Sequence, residues 1–316
     1  MRPGELRSRL ERYVALRRAL GFEARAEERL LRDFVAFAEQ HGLDGCVHAA
    51  LAVDWACSTA SSHGVGAPAR RLSVVRGFIA HLHAAVPDVE VPAHGLLASA
   101  RRPAPYIYAA HEIDALLAAA GALGPRGALR PSTYSTLIGL LVSTGLRIGE
   151  AVRLRTADVR LDERPPCLLV REAKFHKSRL VPLHPTTADA LRVYAHERRR
   201  LGYDGLADTF FVSEHPGPLH APRVRGTYVA LARRVGLRPP VGPGPRLHDL
   251  RHTFAVRRLL AWYREGADVH ARLPELSVYL GHVCPEDTYW YLTATPELLG
   301  TAAERFDAYA HPGGAT

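Results

Sequence analysis

The chain has 316 residues, a formal net charge of +9 and a pI near 9.7. This length predicts about two domains, and the excess of basic residues favours a polyanionic partner such as a nucleic acid. The four cysteines lack metal-type spacing, and the sequence has neither a signal peptide nor a long apolar stretch. These features argue against a disulfide-bonded secreted protein and a membrane protein, so we expect a cytoplasmic protein with reduced thiols.

The charge is distributed unevenly along the chain. Residues 1–100 contain 12 basic and 11 acidic residues, whereas residues 101–316 contain 29 basic and 21 acidic residues. Lysine and arginine make the charged contacts with nucleic-acid phosphates. We therefore expect the C-terminal part to make more of those contacts.

The N-terminal hundred residues show the apolar spacing of four short helices. Two periodic segments end before Gly21 and Gly42, and two more helices are predicted at residues 47–57 and 71–83. The pattern predicts a helical bundle. Its near-neutral charge leaves open a dimerisation bundle that does not contact nucleic acid.

A proline-rich, basic segment at residues 91–105 is typical of a linker. We place the linker itself at residues 101–106. The predicted domains are then residues 1–100 and residues 107–316. Two lobes joined in this way are suited to closing around a duplex.

The C-terminal part combines helical periodicity with one short hairpin. Helices are predicted at residues 111–120, 134–143, 186–201, 222–235 and 247–264, and after Thr295-Pro296. Residues 167–171 and 179–182 have the composition of short strands, with residues 172–178 as the hairpin tip. The predicted fold class of the chain is therefore mainly α with a small β-sheet.

The first candidate site residue lies where an apolar helix breaks at Gly145 and restarts through Val152 and Leu154. Arg147 is thus placed at a tight junction between two helices, where the glycines allow close approach of backbone or substrate. Glu150, one turn later, is positioned to orient the guanidinium of Arg147 by paired hydrogen bonds. An interhelix salt bridge without a catalytic role would have the same pattern.

The second candidate is a lysine, a residue type that this sequence almost lacks. Of the 41 basic residues only Lys174 and Lys177 are lysines, and both lie in the predicted hairpin tip. Lysine can give up a proton and arginine in practice cannot, so one of the pair is suited to protonating a leaving oxygen. Chance clustering of two residues is the alternative.

The third candidate is a helix face formed by His248, Arg251 and His252, at positions i, i+3 and i+4. A guanidinium and two imidazoles suit a phosphodiester, because one holds phosphate oxygens and the others move protons near neutral pH. A solvated basic face is the ordinary alternative. A zinc-hydrolase motif also fits loosely, but Arg251 would repel the metal ion and Asp249 replaces the usual glutamate.

These elements occur together with Leu-Gly-His at 280–282 and a tyrosine, Tyr291, nine residues later. The other motifs are Thr-Gly-Leu-Arg at 144–147, Ala-Lys-Phe-His-Lys-Ser-Arg-Leu-Val-Pro at 173–182 and His-Asp-Leu-Arg-His-Thr-Phe-Ala at 248–255. In order and spacing the five elements resemble the tyrosine recombinases, or phage-integrase family, over roughly the C-terminal two thirds of the chain.

The resemblance implies an N-terminal helical core-binding domain of SAM-like fold and an α+β catalytic domain. It implies a site-specific recombinase or integrase that cleaves DNA through a 3′-phosphotyrosyl intermediate, without metal ion, ATP or other cofactor. The implied partners are double-stranded DNA and further copies of the chain, as a tetramer on synapsed DNA. Other recombinases of the same mobile element are candidate partners, and the expected location is the cytoplasm, on the nucleoid.

The resemblance also assigns roles to individual residues. Arg147 and Arg251 match the arginines that hold the non-bridging phosphate oxygens, and Tyr291 matches the nucleophile. Lys174 matches the acid that protonates the leaving group, although it follows Ala173 where the family usually has glycine.

Three histidines receive different roles from the same resemblance. His248 matches the histidine credited with proton handling, and His282 matches the one that hydrogen-bonds the scissile phosphate. His252 is expected to be structural.

Two other tyrosines, Tyr279 and Tyr289, compete with Tyr291 for the role of nucleophile. The spacing from His282 favours Tyr291. Helical geometry directs Tyr289 away from Tyr291, and we expect it to lie in the packed interior.

Three other functions share parts of this pattern. A type IB topoisomerase-like enzyme would use the same chemistry on one duplex, and a non-catalytic partner of another recombinase would bind DNA without cleaving it. A zinc hydrolase would lose its activity to a chelator. The presence of every catalytic position favours a recombinase that serves the integration or excision of a mobile element.

Overall fold

The structure of the protein, a computed structural model, divides the chain into two compact units, Met1–Pro103 and Ala104–Thr316. It describes residues 4–22, 25–41, 46–58, 66–99, 104–125, 127–173, 177–214, 217–282, 284, 286–293 and 300. Within these ranges, no helix is both long and apolar enough to cross a lipid bilayer.

The N-terminal unit contains four helices: α1 (Glu5–Ala19), α2 (Arg25–Gln40), α3 (Ala49–Cys57) and α4 (Ala67–His83). The four predicted helices are therefore confirmed. They bury an apolar core whose largest members are Leu6, Phe34, Trp55 and Phe78. Each such side chain contributes about 1.5–3 kcal/mol when it is removed from water, and this burial holds the bundle together.

The C-terminal unit is also mainly helical. Its helices are α5 (Ala110–Gly121), α6 (Arg130–Thr144), α7 (Ile148–Arg153), α8 (Pro185–Arg200), α9 (Ala221–Arg234), α10 (Asp249–Arg264), α11 (Val269–Leu280) and α12 (Glu286–Tyr289). Five of them confirm the helices predicted between residues 111 and 264, and α7 is the predicted restart after Gly145. The segment predicted after Thr295-Pro296 lies almost wholly outside the described residues.

Helix α11 is absent from the sequence-based prediction. Pro274 lies inside it, and a proline removes one backbone hydrogen bond and opposes the helix locally. Burial of Leu273, Leu276 and Leu280 keeps the segment helical. Tertiary packing thus overrides the local signal.

A three-stranded antiparallel sheet completes the unit, with strands β1 (Val159–Arg160), β2 (Cys167–Ala173) and β3 (Lys177–Pro182) in chain order. Leu168 on β2 lies opposite Val181 on β3, and both are fully buried against the helical core. The predicted hairpin is confirmed. The short strand β1 was not predicted, because two residues are too few to show an alternating pattern. The fold class, mainly α with a small β-sheet, is confirmed.

A second apolar cluster of the C-terminal unit joins α10, α11 and a short 3-10 turn, Trp290–Thr293. Val256 and Leu259 come from α10, Leu276 comes from α11, and Tyr291 comes from the turn. This packing brings the tyrosine to α10, which carries Arg251, and to α11, which ends just before His282.

Candidate active site

The candidate site forms where the α6–α7 junction, the start of α10, the end of α11 and the turn at Trp290–Thr293 meet. Hydrogen bonds between these segments join residues that are 29 to 134 positions apart in sequence. The site is therefore assembled by tertiary contacts between separate elements.

Gly145 ends α6 in the left-handed conformation, with φ of 63°. A Cβ atom at this position would lie 2.6 Å from the ring of Phe254 and 3.1 Å from the side chain of Leu280. Glycine is needed here both for the backbone conformation and for the close packing of α6 against α10 and α11. The expected tight junction is confirmed.

Arg147 follows this break and is held from two directions. Its Nη1 donates to Oε1 of Glu150 at 3.0 Å, and its Nη2 donates to the carbonyl oxygen of Gly281 at 3.0 Å. Glu150 thus contacts the guanidinium of Arg147 as predicted, but through one hydrogen bond and not through the predicted pair. About a third of the Arg147 side chain is exposed, so the guanidinium remains accessible to a ligand.

Arg251 is buried in the first turn of α10 and is 2% exposed. Its Nη1 donates to the carbonyl oxygen of Gly145 at 2.8 Å, and its Nη2 donates to that of Leu280 at 2.8 Å. Nη1 of Arg147 lies 3.4 Å from the same Leu280 oxygen. The two guanidiniums are thus held side by side by backbone carbonyl groups.

Arg179 on β3 is a further member of this cluster that the sequence did not identify. Its two terminal nitrogens donate to both oxygens of Glu150, at 3.2 and 2.9 Å, and its Nε donates to the carbonyl oxygen of Tyr279 at 2.8 Å. Arg179 therefore ties the hairpin to Glu150 and to the end of α11. The sequence did contain an indication that Arg179 faces inward, because it lies two residues before the buried Val181 and therefore on the same face of the strand.

The cluster contains three guanidiniums around one buried carboxylate. Burial alone would raise the pKa of Glu150, but the two guanidiniums that contact it hold this pKa below its ordinary value. Burial and the neighbouring charge of Arg147 lower the pKa of Arg251 to about 10. The nearby carboxylate of Asp249 is paired with Arg246. The site therefore has excess positive charge, which an anion would neutralise.

His248 immediately precedes α10, and its ring is exposed in part. Partial removal from water, reinforced by the charge of Arg251, lowers the pKa of His248 to about 4. The ring is thus neutral near pH 7. Its ring centroid lies 4.7 Å from that of His252, so the two imidazoles are neighbours. His248 lies at the rim of the site and the buried His252 lies in its interior.

Tyr291 lies between two imidazoles and is 1% exposed. Nδ1 of His252 is 2.9 Å from its hydroxyl oxygen, and the ring of His282 stacks on its ring at a centroid distance of 6.1 Å. Nδ1 of His282 is 2.6 Å from Oγ1 of Thr288, which fixes the orientation of that ring. His252, expected to be structural, thus contacts the candidate nucleophile directly.

The expectation that Tyr289 lies in the packed interior is wrong. Its side chain is 47% exposed, whereas Tyr291 is buried. The two tyrosines do point to different sides, but α12 ends at Tyr289 and a tighter 3-10 turn follows, which sets Tyr291 inward. Tyr279 stacks on Phe254 at 5.5 Å, as expected of a packing aromatic.

Of the six site residues predicted from the sequence, Arg147, Arg251, His282 and Tyr291 come together, with His248 beside them. Lys174 lies outside the described residues. The backbone of Lys177 opens β3 and pairs with Ala173, and its side chain is likewise outside the described part. His252 and Arg179 are the neighbours that the sequence-based prediction missed.

Among the residues that the structure describes, no group of three or more histidine, cysteine, aspartate or glutamate side chains is arranged to hold a metal ion. The zinc-hydrolase alternative therefore finds no ligand set in that part of the chain. His252 is instead directed at Tyr291.

Comparison with known proteins shows the family to which the chain belongs. The model of the phage integrase family matches residues 108–297. A Sinorhizobium fredii protein named "Putative integrase/recombinase y4rB" is 41% identical over 310 residues, covering 95% of this chain and 96% of that protein. The tyrosine recombinase XerD of Ralstonia nicotianae is 31% identical over 222 residues, covering 69% of this chain and 65% of that protein.

Solved structures share the fold at low sequence identity. The XerH site-specific recombinase, in a post-cleavage complex with its difH substrate, matches with a TM-score of 0.66 and 17% identity, covering 89% of this chain and 79% of XerH. The Tn1549 transposon integrase (residues 82–397), in complex with circular-intermediate DNA, matches with a TM-score of 0.64 and 16% identity, covering 94% of this chain and 99% of that solved chain.

The helical fold with its small sheet is that of the DNA recombinases of the tyrosine type. The chain belongs to the phage integrase family and is a tyrosine recombinase. The family predicted from the five sequence motifs is therefore confirmed.

Proposed function

We propose that this recombinase cleaves and rejoins double-stranded DNA at a specific site with Tyr291 as the nucleophile. The observation that carries the proposal is the cluster of three guanidiniums around one carboxylate, next to the tyrosine. A scissile phosphodiester supplies the missing negative charge. Attack by the phenolic oxygen forms a 3′-phosphotyrosyl bond and releases a 5′-hydroxyl, so the ester energy is kept for rejoining.

Arg147 and Arg251 bind the non-bridging phosphate oxygens and stabilise the charge that develops there. Such arginine contacts with a transferring phosphoryl group are worth about 10³–10⁵-fold in rate, which permits catalysis without a metal ion or ATP. His282, which is oriented by Thr288, donates a hydrogen bond to the same phosphate. His248 takes part in proton transfer at the rim of the site.

Lys174 is the proposed acid for the leaving 5′-oxygen. In sequence it follows β2 directly, and Arg179 anchors the next strand, β3, to Glu150, so the described part of the hairpin is fixed to the arginine cluster. We therefore assign Arg179 as a positioning residue for this side of the site.

We further propose that the chain acts as an oligomer on DNA, with a tetramer on two synapsed duplexes as the complete assembly. The lambda integrase structure is that of a dimer bound to a core site, and it supports an assembly of several copies. The Tn1549 integrase belongs to a transposon, which supports a role in mobile-element integration or excision. Action on chromosomal DNA in the cytoplasm follows from this role.

The proposal is tested by incubating the wild-type protein and Tyr291→Phe, in EDTA, with nicked duplexes tiled across the ends of its own element. We expect a covalent protein–DNA adduct that survives denaturation and is absent from Tyr291→Phe. Tyr289→Phe is the matched control, because Tyr289 is exposed two residues away and should form the adduct normally. Binding without an adduct on any duplex would instead indicate a non-catalytic DNA-binding partner.

Light scattering of the protein alone and with two bound sites tests the assembly. Recruitment of four copies to a pair of sites supports the proposed tetramer. A complex with one copy for each pair of sites contradicts it, and relaxation of a single duplex without strand exchange would indicate a topoisomerase-like enzyme.

A further inference from the structure

The buried pair formed by Tyr291 and His252 has the geometry of a nucleophile with its base. Nδ1 of His252 lies 2.9 Å from the hydroxyl oxygen of Tyr291, and the two residues are 3% and 1% exposed. A general base must lie about 2.6–3.2 Å from the atom whose proton it takes. The separation is thus that of a proton transfer.

A carboxylate lies near the far side of the imidazole. When Nδ1 of the neutral ring accepts a hydrogen bond from the phenol, the ring carries its own proton on Nε2. That nitrogen lies 4.0 Å from Oδ1 of Asp249, a carboxylate that is itself held by Arg246. The negative charge favours this tautomer and stabilises the imidazolium that forms. Nucleophile, base and carboxylate therefore follow one another in the order of a catalytic triad.

The other imidazole on this helix is less suited to the same task. The pKa of His248, lowered to about 4, makes it a weak acceptor for the proton of a phenol whose ordinary pKa is about 10. The hydrogen bond to the Tyr291 hydroxyl is made by His252. The roles of the two histidines thus differ although they are four residues apart.

We propose that His252 is a catalytic residue, the general base that activates Tyr291; this inference rests on the proposed function. As the phenolic oxygen bonds to phosphorus, its proton passes to Nδ1 of His252, and the bond from phosphorus to the 5′-oxygen breaks. The leaving oxygen takes a proton from a separate acid. In rejoining, the 5′-hydroxyl attacks, and the imidazolium returns its proton to the departing tyrosine.

Several ionisable groups surround the pair and set its titration. Asp249, His248 and Arg251 lie on or beside the same helix, Arg246 holds Asp249 from the preceding loop, and His282 stacks on Tyr291. The test therefore compares variants of His252 alone and leaves these neighbours unchanged.

The experiment measures single-turnover adduct formation between pH 5 and pH 9 on DNA that carries a 5′-bridging phosphorothiolate at the scissile position. A thiolate leaves without an acid, so the rate reports attack alone. Wild type is compared with His252→Gln, which keeps a hydrogen-bond acceptor but cannot take a proton. His111→Gln, at an exposed histidine of α5, is the control.

The wild-type rate is expected to rise with pH and then level off as His252 becomes neutral. In His252→Gln we expect the rate to fall by about 10²-fold or more. Without a base only the phenolate reacts, so the variant rate should increase tenfold for each pH unit toward the tyrosine pKa of about 10. The control should match the wild type.

Each other outcome overturns the inference. An equal rate and pH profile in His252→Gln would make His252 a packing residue, and a faster rate would make it a restraint on the nucleophile. If the variant does not fold, the wild-type profile still decides, because a rate that follows phenolate up to pH 9 excludes a base. Failure of the wild type to form any adduct would overturn the proposed function as well.

Discussion

The two compact units of the chain bury different kinds of side chain. In the N-terminal unit the core that the structure describes consists of apolar and aromatic side chains and one cysteine, Cys46. In the C-terminal unit the buried set also includes the charged residues Glu150, Asp249 and Arg251 and the imidazole of His252. Charged groups of the N-terminal unit pair at its surface instead, as Arg18 and Arg32 do with Glu28.

Burial of charge costs free energy, and a fold retains it where it has a use. In the C-terminal unit, the buried Arg251 and the Arg147 that pairs with the buried Glu150 meet around the carbonyl groups of Leu280 and Gly281. Two other buried charges, Asp158 and Arg198, are paired elsewhere in the unit. The N-terminal unit has the composition of a stable framework, while the C-terminal unit gives up stability to keep a preorganised cationic site.

The largest expected effect comes from removing one guanidinium of that site. Arg251→Ala should slow adduct formation at saturating DNA by about 10³-fold or more, because the charge that develops on the phosphate loses its buried partner. Sulfate should raise the melting temperature of the wild type by binding the excess positive charge, and much less so in the variant. Normal cleavage by Arg251→Ala would show that the buried charge is only structural.

Removal of one paired carboxylate from each unit allows the stability contributions of a buried and a surface charge to be compared directly. Glu150→Gln leaves two guanidiniums without their counter-charge and should lower the free energy of unfolding by about 3 kcal/mol. The matched change in the N-terminal unit, Glu28→Gln, removes a carboxylate from surface arginines and should cost less than about 1 kcal/mol. Urea unfolding, with hydrogen exchange to assign each unit, measures both. Equal costs would contradict the contrast.

The same carboxylate predicts a sensitivity to acid. The pKa of Glu150 in the folded protein is lower than its ordinary value of 4.5. The stability it provides is therefore present above about pH 4.5 and is lost as the pH falls through the lowered pKa. Glu150→Gln should lack this part of the loss when unfolding is measured against pH.

Substitutions at two glycines with left-handed backbone allow the cost of backbone strain to be measured separately from the cost of steric crowding. Gly95→Ala, at φ of 79° with open space around it, should cost roughly 1–2 kcal/mol. Gly145→Ala adds a clash with Phe254 at 2.6 Å and should cost roughly 1–3 kcal/mol more. The difference between the two unfolding free energies measures how tightly α6, α10 and α11 meet. No difference would mean that the junction relaxes freely.

The smallest effect concerns His248. Its pKa in the folded protein is about 4, below the ordinary value of 6.5, so the unfolded chain binds more protons between these two values. Stability should fall as the pH drops from 6.5 to 4, and His248→Gln should show a shallower fall. Identical pH dependences of the two proteins would indicate that the ring is not removed from water in solution.

Local pattern was sufficient for most of the architecture. Apolar residues at helical spacing, with glycine at Gly21 and Gly145, located nine described helices to within a few residues, and strand-type composition located the hairpin. The helix with an internal proline, α11, was missed because its stability comes from partners outside the segment. The motif set around Arg147, Arg251, His282 and Tyr291 was also readable, since each motif has its own local spacing.

The sequence by itself therefore determined the kinds of element and the chemical groups available to the site. Only the tertiary structure decided which groups touch. The contact of His252 with Tyr291, the tie from Arg179 to Glu150 and the exposure of Tyr289 all depend on how distant segments pack. Periodicity determines on which face of its own helix or strand a residue lies. The residues that this face contacts in the site are 29 to 134 positions away in sequence, and only the packing of the elements decides which they are.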